Sequence, residues 1–332
     1  KSSSAASDVY KRQIPLCKKY PIQVAISTLF IAISVSLAII LSWQSFNKTS
    51  DIMLKSADDL YGRITQELIL DFKATYGSIA GGIRQFRLSP VIYAETFEQR
   101  IENLPNFQAV LESDTSVFAV GVGYGDGDYL GFSSVNSDYV RNKYEAPVGS
   151  SFIALYVKNA QVKPTDDPSF EAGKLYTIFY DEKLKEISRS QGVATQFDPR
   201  VRPWYQQATD TPHATKPYLF YDSKVVGLTA MSKTAVPGVV VVFDITLENL
   251  SKTIAKHQVT PSSEVVLINT DGQTLAYKDQ QKIIYSSRES SDPDKIQLAN
   301  LNQLGSGVLS YLSTFVEKKE QDFDFEYSDQ RW

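Results

Sequence analysis

The sequence has little of the residue types that build disulfides, metal centres and nucleic-acid-binding faces. Among its 332 residues it has one cysteine, Cys17, and two histidines, His213 and His257. A single cysteine excludes a disulfide within the chain and a cysteine-rich zinc site. Lysine and arginine total 34 against 38 aspartate and glutamate, a net charge of −4. A basic face for nucleic acid is therefore not expected.

Motifs of common enzyme classes are missing as well. The glycine-rich run 121–127 has neither the spacing of a dinucleotide-binding loop nor the Gly-Lys-Ser/Thr of a phosphate-binding loop. No Gly-x-Ser-x-Gly elbow occurs, and Asp126 and Asp128 lack the acidic ladder of a calcium loop. We therefore predict no cofactor, no metal and no enzymatic activity for the chain itself.

One long hydrophobic segment lies near the N-terminus. Residues Ile22–Trp43 contain no charge, and at about 1.5 Å per residue a helix of that length crosses the ~30 Å hydrocarbon core of a bilayer. Four basic residues within 11–19 precede it, so the positive-inside rule predicts that residues 45–332 lie outside the cytoplasm. A cleaved signal peptide is the alternative, but its apolar core is about 7–15 residues long.

After this segment the pattern first predicts a long helix and then mixed α and β structure. Apolar residues recur every four positions from Leu60 to Phe72, as on one face of a helix, and Ser89-Pro90 marks its end. Gly77, Gly81 and Gly82 could interrupt this helix. Further helices are predicted at 93–113, 246–257 and 293–304, and strands at 117–122, 129–134, 152–157, 175–181, 225–232, 239–243, 263–269, 273–277 and 322–327.

One cluster of arginine, proline and aromatic residues stands out at Phe197–Tyr205. Arg202 and Trp204 alternate, so in an extended segment both would face the same side. An arginine fork matches a carboxylate, and an adjacent indole would shield that contact from water. The alternative is a structural corner, in which Arg202 bonds backbone carbonyls and Trp204 belongs to the core.

The run FDPRVRPWYQQA resembles the Tyr-Asp-Pro-Arg-x-Arg-Pro-Trp-Tyr-x-x-Ala signature of double-Cache (dCache, type 1) sensor domains. The resemblance implies an α+β fold in which one transmembrane helix precedes a long helix and two PAS-like modules, each an antiparallel sheet flanked by helices. The expected division is 1–21 leader and cytoplasmic stub (1–13 non-native), 22–43 transmembrane helix, 45–90 long helix, 91–248 membrane-distal ligand-binding module and 249–332 truncated membrane-proximal module.

The same resemblance implies which residues hold the ligand. Arg202 and Trp204 would bind a carboxylate, and Tyr218 and Asp244 match positions that hold an amine. Phe197 stands where the family has a tyrosine, so that hydroxyl is missing.

The amine-binding half departs further from the family pattern. Phe220 falls where a second acid is expected, and Asp222 comes two residues late, so that it would need a register shift or a bulge to reach the site. We therefore expect a small carboxylate-bearing ligand, an organic acid or amino-acid-like, with standard amino acids less favoured.

Together these features predict the extracytoplasmic sensor of a bacterial transmembrane receptor, a homodimer held in the inner membrane by Ile22–Trp43. Its ectodomain would be periplasmic or extracellular. A nucleotide cyclase or HD-type phosphodiesterase is the favoured output, with histidine kinase, chemoreceptor and diguanylate cyclase open. The alternative is a dimerisation or protein-binding ectodomain without a small ligand, and a membrane-tethered hydrolase is a third, unsupported by any motif.

Overall fold

The computed structural model describes residues 21–159, 170–258, 260, 263–285, 296–316, 326–327 and 330–331. The predicted leader, the basic residues within 11–19 and Cys17 lie outside the described residues. The chain separates into two compact units, one ending at Gln66 and one beginning at Glu67. Each unit is described by itself.

The N-terminal hydrophobic segment and the long helix are one helix, α1 (Ile22–Phe86). Within the described residues it is the one helix long and apolar enough to cross a membrane, and its most apolar stretch is unburied. The three glycines do not interrupt it. Gly82 instead makes room for a ring, since a Cβ there would lie 2.9 Å from Cε2 of Phe243.

The remaining helices are short and lie between strands. Thr96 begins the first of them with a capping box to Gln99, which satisfies two free backbone N–H groups. The predicted helix 93–113 is divided in two, because Pro105 starts a new helix in its first turn. The helices are α2 (Phe97–Ile101), α3 (Leu104–Ser113), α4 (Asp138–Lys143), α5 (Pro203–Gln207), α6 (Leu247–Ala255) and α7 (Gly307–Val316).

An antiparallel sheet of ten described strands forms the centre of the second unit. In chain order its strands are β1 (Ala119–Gly123), β2 (Tyr129–Ser134), β3 (Phe152–Lys158), β4 (Lys174–Tyr180), β5 (Glu186–Arg189), β6 (Val193–Ala194), β7 (His213–Ala214), β8 (Tyr218–Leu219), β9 (Val226–Lys233) and β10 (Val240–Thr246). The order across the sheet is β5-β4-β3-β2-β1-β10-β9-β7, with β6 paired to β4 and β8 to β9.

The two faces of this sheet have different environments. Because side chains alternate along a strand, Val241, Phe243 and Ile245 of β10 belong to the core that also contains residues of α1 and α3. Val242 and Asp244 point to the other face. Predicted fold class and observed architecture agree: a long N-terminal helix is followed by an antiparallel sheet with flanking helices.

After α6 the described chain forms three separate pairs of short strands. The two strands of the first pair lie within the predicted strands 263–269 and 273–277. The predicted helix 293–304 is wrong where it is described: Gln297–Leu298 is a strand and Leu301–Gln303 a 3₁₀ turn. The pairs are β11 (Val266–Ile268) with β12 (Thr274–Tyr277), β13 (Ile284–Tyr285) with β14 (Gln297–Leu298), and β15 (Glu326–Tyr327) with β16 (Gln330–Arg331). The first part of predicted strand 322–327 lies outside the described residues.

A buried ionic cluster joins α2 to the sheet. Asp128 is fully buried and accepts hydrogen bonds from Arg100 Nη1 at 2.7 Å and Lys158 Nζ at 3.0 Å. Both cations are also buried, at 1% and 2% exposed. Removing a partner from such a cluster leaves uncompensated buried charge.

We therefore expect Asp128→Ala to lower the free energy of unfolding by about 3–5 kcal/mol. Glu248→Ala breaks an exposed ion pair with Lys252 and should change it by less than ~0.5 kcal/mol. Urea unfolding of the chain in detergent would measure both. A loss below about 1 kcal/mol for Asp128→Ala would contradict a stabilising role for the cluster.

Candidate ligand-binding site

A cavity of ≈ 80 Å³ lies on the face of the sheet opposite the long helix. All seven residues selected from the sequence line it: Phe197, Arg202, Trp204, Tyr218, Phe220, Asp222 and Asp244. They come from three separate places in the chain, so their assembly depends on the tertiary fold. The remaining lining is mostly aromatic side chains and small residues of the sheet floor.

The arginine–proline segment is held in place by its own turns. Asp198 accepts a hydrogen bond from the backbone N–H of Arg200, and the 3₁₀ turn Pro199–Val201 follows. Pro203 then begins α5, so the single residue between them, Arg202, is extended, with φ −80° and ψ 147°. An extended segment was the condition under which Arg202 and Trp204 would face the same side, but each proline starts a helical turn.

Arg202 and Trp204 nevertheless both reach the cavity. Arg202 is 9% exposed, and its Cζ lies 5.6 Å from the ring centre of Tyr221 and 5.9 Å from that of Tyr218. Trp204 is 4% exposed and covers Gly123, where a Cβ would lie 2.7 Å from its Cη2. The guanidinium is therefore bordered by aromatic rings, which exclude water from it.

A hydrogen-bond chain leads from Tyr218 to Asp244. The Tyr218 and Thr229 hydroxyls are 2.6 Å apart, and the Thr229 hydroxyl donates to Asp244 Oδ1 at 2.5 Å. Thr229 lies directly opposite Asp244 in the β9–β10 pairing. Burial raises the pKa of Asp244 to about 7, against the lowering effect of the Thr229 hydrogen bond. Asp244 therefore changes charge near neutral pH.

Asp222 reaches the cavity by a turn between β8 and β9, without the strand bulge that the sequence required. Phe220 N–H donates to Val225 O at 2.9 Å and Lys224 N–H to Phe220 O at 3.1 Å. Lys224 has φ 53°, a left-handed conformation that closes the turn. The Tyr144 hydroxyl donates to Asp222.

The two phenylalanines contribute cavity wall where the family pattern has polar groups. The Phe197 ring lies 5.2 Å from the Tyr129 ring and 5.2 Å from the Tyr221 ring. Phe220 is 6% exposed and packs at 5.3 Å against the Tyr218 ring. Neither side chain can hydrogen-bond a ligand, and the charged side chains that line the cavity are Arg202, Asp222 and Asp244.

The sequence analysis missed several lining residues. Tyr144, from the end of α4, and Tyr221 surround Asp222 and Arg202, and Tyr129 lies on the floor. No local motif marks these tyrosines. One signal was present: β1 and β2 alternate small residues with large ones, since Ala119 and Gly131 line the cavity while Val120 and Leu130 belong to the core.

The arrangement is suited to binding. A guanidinium can hold a carboxylate by two parallel hydrogen bonds, and two carboxylates can hold an ammonium group. Within the described part of the chain no group of three or more His, Cys, Asp or Glu side chains could hold a metal ion.

Asp244 should make the stability of the ligand-free chain depend on pH. Its pKa in the folded chain, about 7, lies above its ordinary 3.8, so the folded state binds more protons than the unfolded state between these values. The stability that this group contributes is thus complete below pH 3.8 and is lost as the pH rises through 7. Asp244→Asn should remove this part of the slope, and Glu248→Gln, on the surface of α6, should keep it. Denaturation at pH 5, 6, 7 and 8 measures the effect, and a wild-type slope in Asp244→Asn would contradict it.

The chain is similar to part of one curated protein, and no known protein-family model matches it. Adenylate cyclase 1 of Rhizobium meliloti (strain 1021) is 24% identical over 164 residues, 48% of this chain and 23% of the cyclase, so the chain spans about a quarter of that relative.

Solved structures give similarities over more of the chain. The sensory domain of the Campylobacter jejuni chemoreceptor Tlp3 with isoleucine bound is 18% identical, with 86% of this chain and 89% of that one covered and a TM-score of 0.45. The ligand-binding domain of the Pseudomonas fluorescens chemoreceptor CtaA with L-isoleucine is 16% identical, with 65% and 66% covered and a TM-score of 0.36. In its motif and in the order of its elements the chain resembles double-Cache sensor domains.

Proposed function

We propose that this chain is the small-molecule sensor domain of a transmembrane receptor, and that its cavity binds a small solute carrying a carboxylate. One observation carries the proposal: residues chosen from the sequence for ligand contact line a single cavity, with buried Arg202 at its wall. A structural corner would instead surround both Arg202 and Trp204 with filled core. Trp204 does pack into a core cluster with Met231, but Arg202 lines the cavity. The position of Arg202 therefore favours binding over a purely structural ectodomain.

The position of Asp222 bears on the class of ligand. The sequence alone made amino acids less favoured, because only Asp244 remained on the amine side. With Asp222 also lining the cavity, one cation and two carboxylates face the ligand. An amino acid, which carries both charges, fits this set as well as an organic acid does. The isoleucine bound to Tlp3 is consistent with that choice.

The position that we propose for the domain relative to the membrane follows from α1. Its apolar part, Ile22–Trp43, would anchor the chain in the inner membrane and place the cavity outside the cytoplasm. The division at residue 248 into a membrane-distal and a membrane-proximal module is part of this proposal. An output within a longer protein would be a nucleotide cyclase in the first instance, in line with the partial similarity to adenylate cyclase 1.

A second copy of the chain is the partner we propose for α1 after the membrane segment. Ile52, Met53, Leu60 and Tyr61 are large, apolar and between 46% and 67% exposed. Parallel pairing with the same helix of another copy would cover them. Tethering in one membrane raises the effective concentration of the two helices.

The binding proposal predicts the behaviour of Arg202 variants. A thermal-shift screen with acetate, lactate, succinate, glycine, L-alanine and L-valine should find stabilisation of the wild-type chain, because a ligand at 100 times its Kd adds about 2.7 kcal/mol. Arg202→Ala should lose this stabilisation while the unliganded chain stays folded. Arg202→Lys should restore little, since an ammonium cannot present two parallel donors.

Arg200→Ala is the matched control. Arg200 lies two residues away, is ion-paired to Asp198 at 2.7 Å and is 44% exposed at its side chain, and it does not line the cavity. This variant should keep the ligand response. If Arg202→Ala unfolds the unliganded chain while binding survives in the remaining folded fraction, Arg202 is a structural corner and the proposal is wrong.

The dimer proposal predicts cross-linking in membranes. With Cys17 replaced by serine, single cysteines at Ile52 and Leu60 should form disulfide-linked dimers on oxidation, since both side chains would face the partner helix. A cysteine at Asp58, on a polar part of the helix, should cross-link less. Absence of dimers at every position of 52–64 would count against pairing, and detection of a mature N-terminus just after residue 43 would show cleavage rather than anchoring.

A further inference from the structure

Tyr129 occupies the floor of the cavity in a way that the motif does not account for. It begins β2, and its ring lies over Gly121 and Gly131, which face each other across β1 and β2. A Cβ at Gly121 would lie 2.6 Å from the Tyr129 hydroxyl oxygen, and one at Gly131 2.8 Å from it. The ring can lie on the sheet only because both positions lack a side chain.

The hydroxyl of Tyr129 makes no hydrogen bond to the residues that the structure describes, and Tyr129 lines the cavity. Burial raises the pKa of Tyr129 well above its ordinary value, with Asp244 and Asp222 raising it further, so both carboxylates lie near it. Each already accepts a hydrogen bond, Asp244 from Thr229 and Asp222 from Tyr144.

The ring also determines how much room remains. The sheet floor beneath the cavity includes small residues, among them Ala119, Gly131 and Ser133. The Tyr129 ring covers part of this floor, and the cavity that remains is small, ≈ 80 Å³. Without the ring, the space above Gly121 and Gly131 would be open to a longer ligand.

We propose that Tyr129 is the specificity-determining residue of the cavity: its ring limits the length of the ligand, and its hydroxyl hydrogen-bonds that ligand. This inference rests on the proposed function and deepens it by naming the residue that sets the size of the ligand. It predicts that a longer chain is rejected at the glycine floor, where Tyr129 lies, rather than at Arg202.

Two homologous series of probes test the size limit. Isothermal titration of the detergent-solubilised chain with glycine, L-alanine, L-2-aminobutyrate and L-norvaline, and with glycolate, lactate, 2-hydroxybutyrate and 2-hydroxyvalerate, should give tightest binding for a shorter probe of each series. Beyond that optimum, affinity should fall about tenfold or more for each further methylene. Tyr129→Ala should move the optimum to a longer probe. Tyr129→Phe should keep the wild-type optimum and bind about threefold to tenfold more weakly, through loss of one hydrogen bond.

Gly131→Ala gives an independent test through the same ring. The three atoms nearest to the new methyl group, all within 3.1 Å, would belong to Tyr129. The methyl group would therefore push the Tyr129 hydroxyl into the cavity. Binding of all probes should weaken, and Tyr129→Ala in the Gly131→Ala background should restore it. Such rescue is a coupling between two contacting residues, which general destabilisation would not produce.

The possible outcomes separate the two proposals. If the wild-type chain binds probes and Tyr129→Ala leaves the chain-length profile unchanged, the role of Tyr129 is wrong and the proposed function stands. If the wild-type chain binds none of the probes, the proposed function fails and this inference fails with it. Should Tyr129→Ala not fold, Tyr129→Phe and Gly131→Ala decide: unchanged affinity in both overturns the inference.

Discussion

The alternation of side chains along β10 is the constraint on which the rest of the structure depends. Asp244 faces the cavity, and its neighbour Phe243 faces the helical core on the other side of the sheet. A one-residue slip of this strand would exchange them and bury the acid among apolar side chains. Pairing of β10 with β1 on one side and β9 on the other fixes the register. The same pairing places Thr229 opposite Asp244, where its hydroxyl can satisfy the buried carboxylate.

This strand also gives the cavity a short physical route to the long helix. Phe243 contacts Gly82 of α1 and lies 5.8 Å, ring centre to ring centre, from Phe86. The backbone N–H of Phe118, next to β1, donates to Asp244 O at 2.7 Å. Under the proposed function, a ligand cation that ionises Asp244 would act on a strand whose preceding residue, Phe243, packs against the helix. Close packing makes such a contact sensitive to small displacements. One strand thus lines the cavity on one face and packs against α1 on the other.

Much of this could be read from the sequence because the signals are local. Prolines and Asp198 specify the turns around Arg202, apolar spacing specifies α1, and period-two patterns specify the main strands. The errors in the secondary-structure prediction were local as well. Pro105 divides one predicted helix into two. After residue 293, the apolar residues have a spacing that fits a short strand and a 3₁₀ turn as well as a helix. A short apolar run does not distinguish these by periodicity.

The residues that could not be predicted are those that only tertiary structure brings together. Asp222 looked misplaced because the family pattern has its acid two residues earlier, whereas a turn closed by Lys224 carries Asp222 to the cavity. Tyr129 has no motif at all. Its position depends on two glycines on different strands, and their pairing is a property of the register rather than of either segment. A motif therefore locates the charged end of such a site, while the side chains that decide what else fits are determined by which strands pair and by what those strands lack.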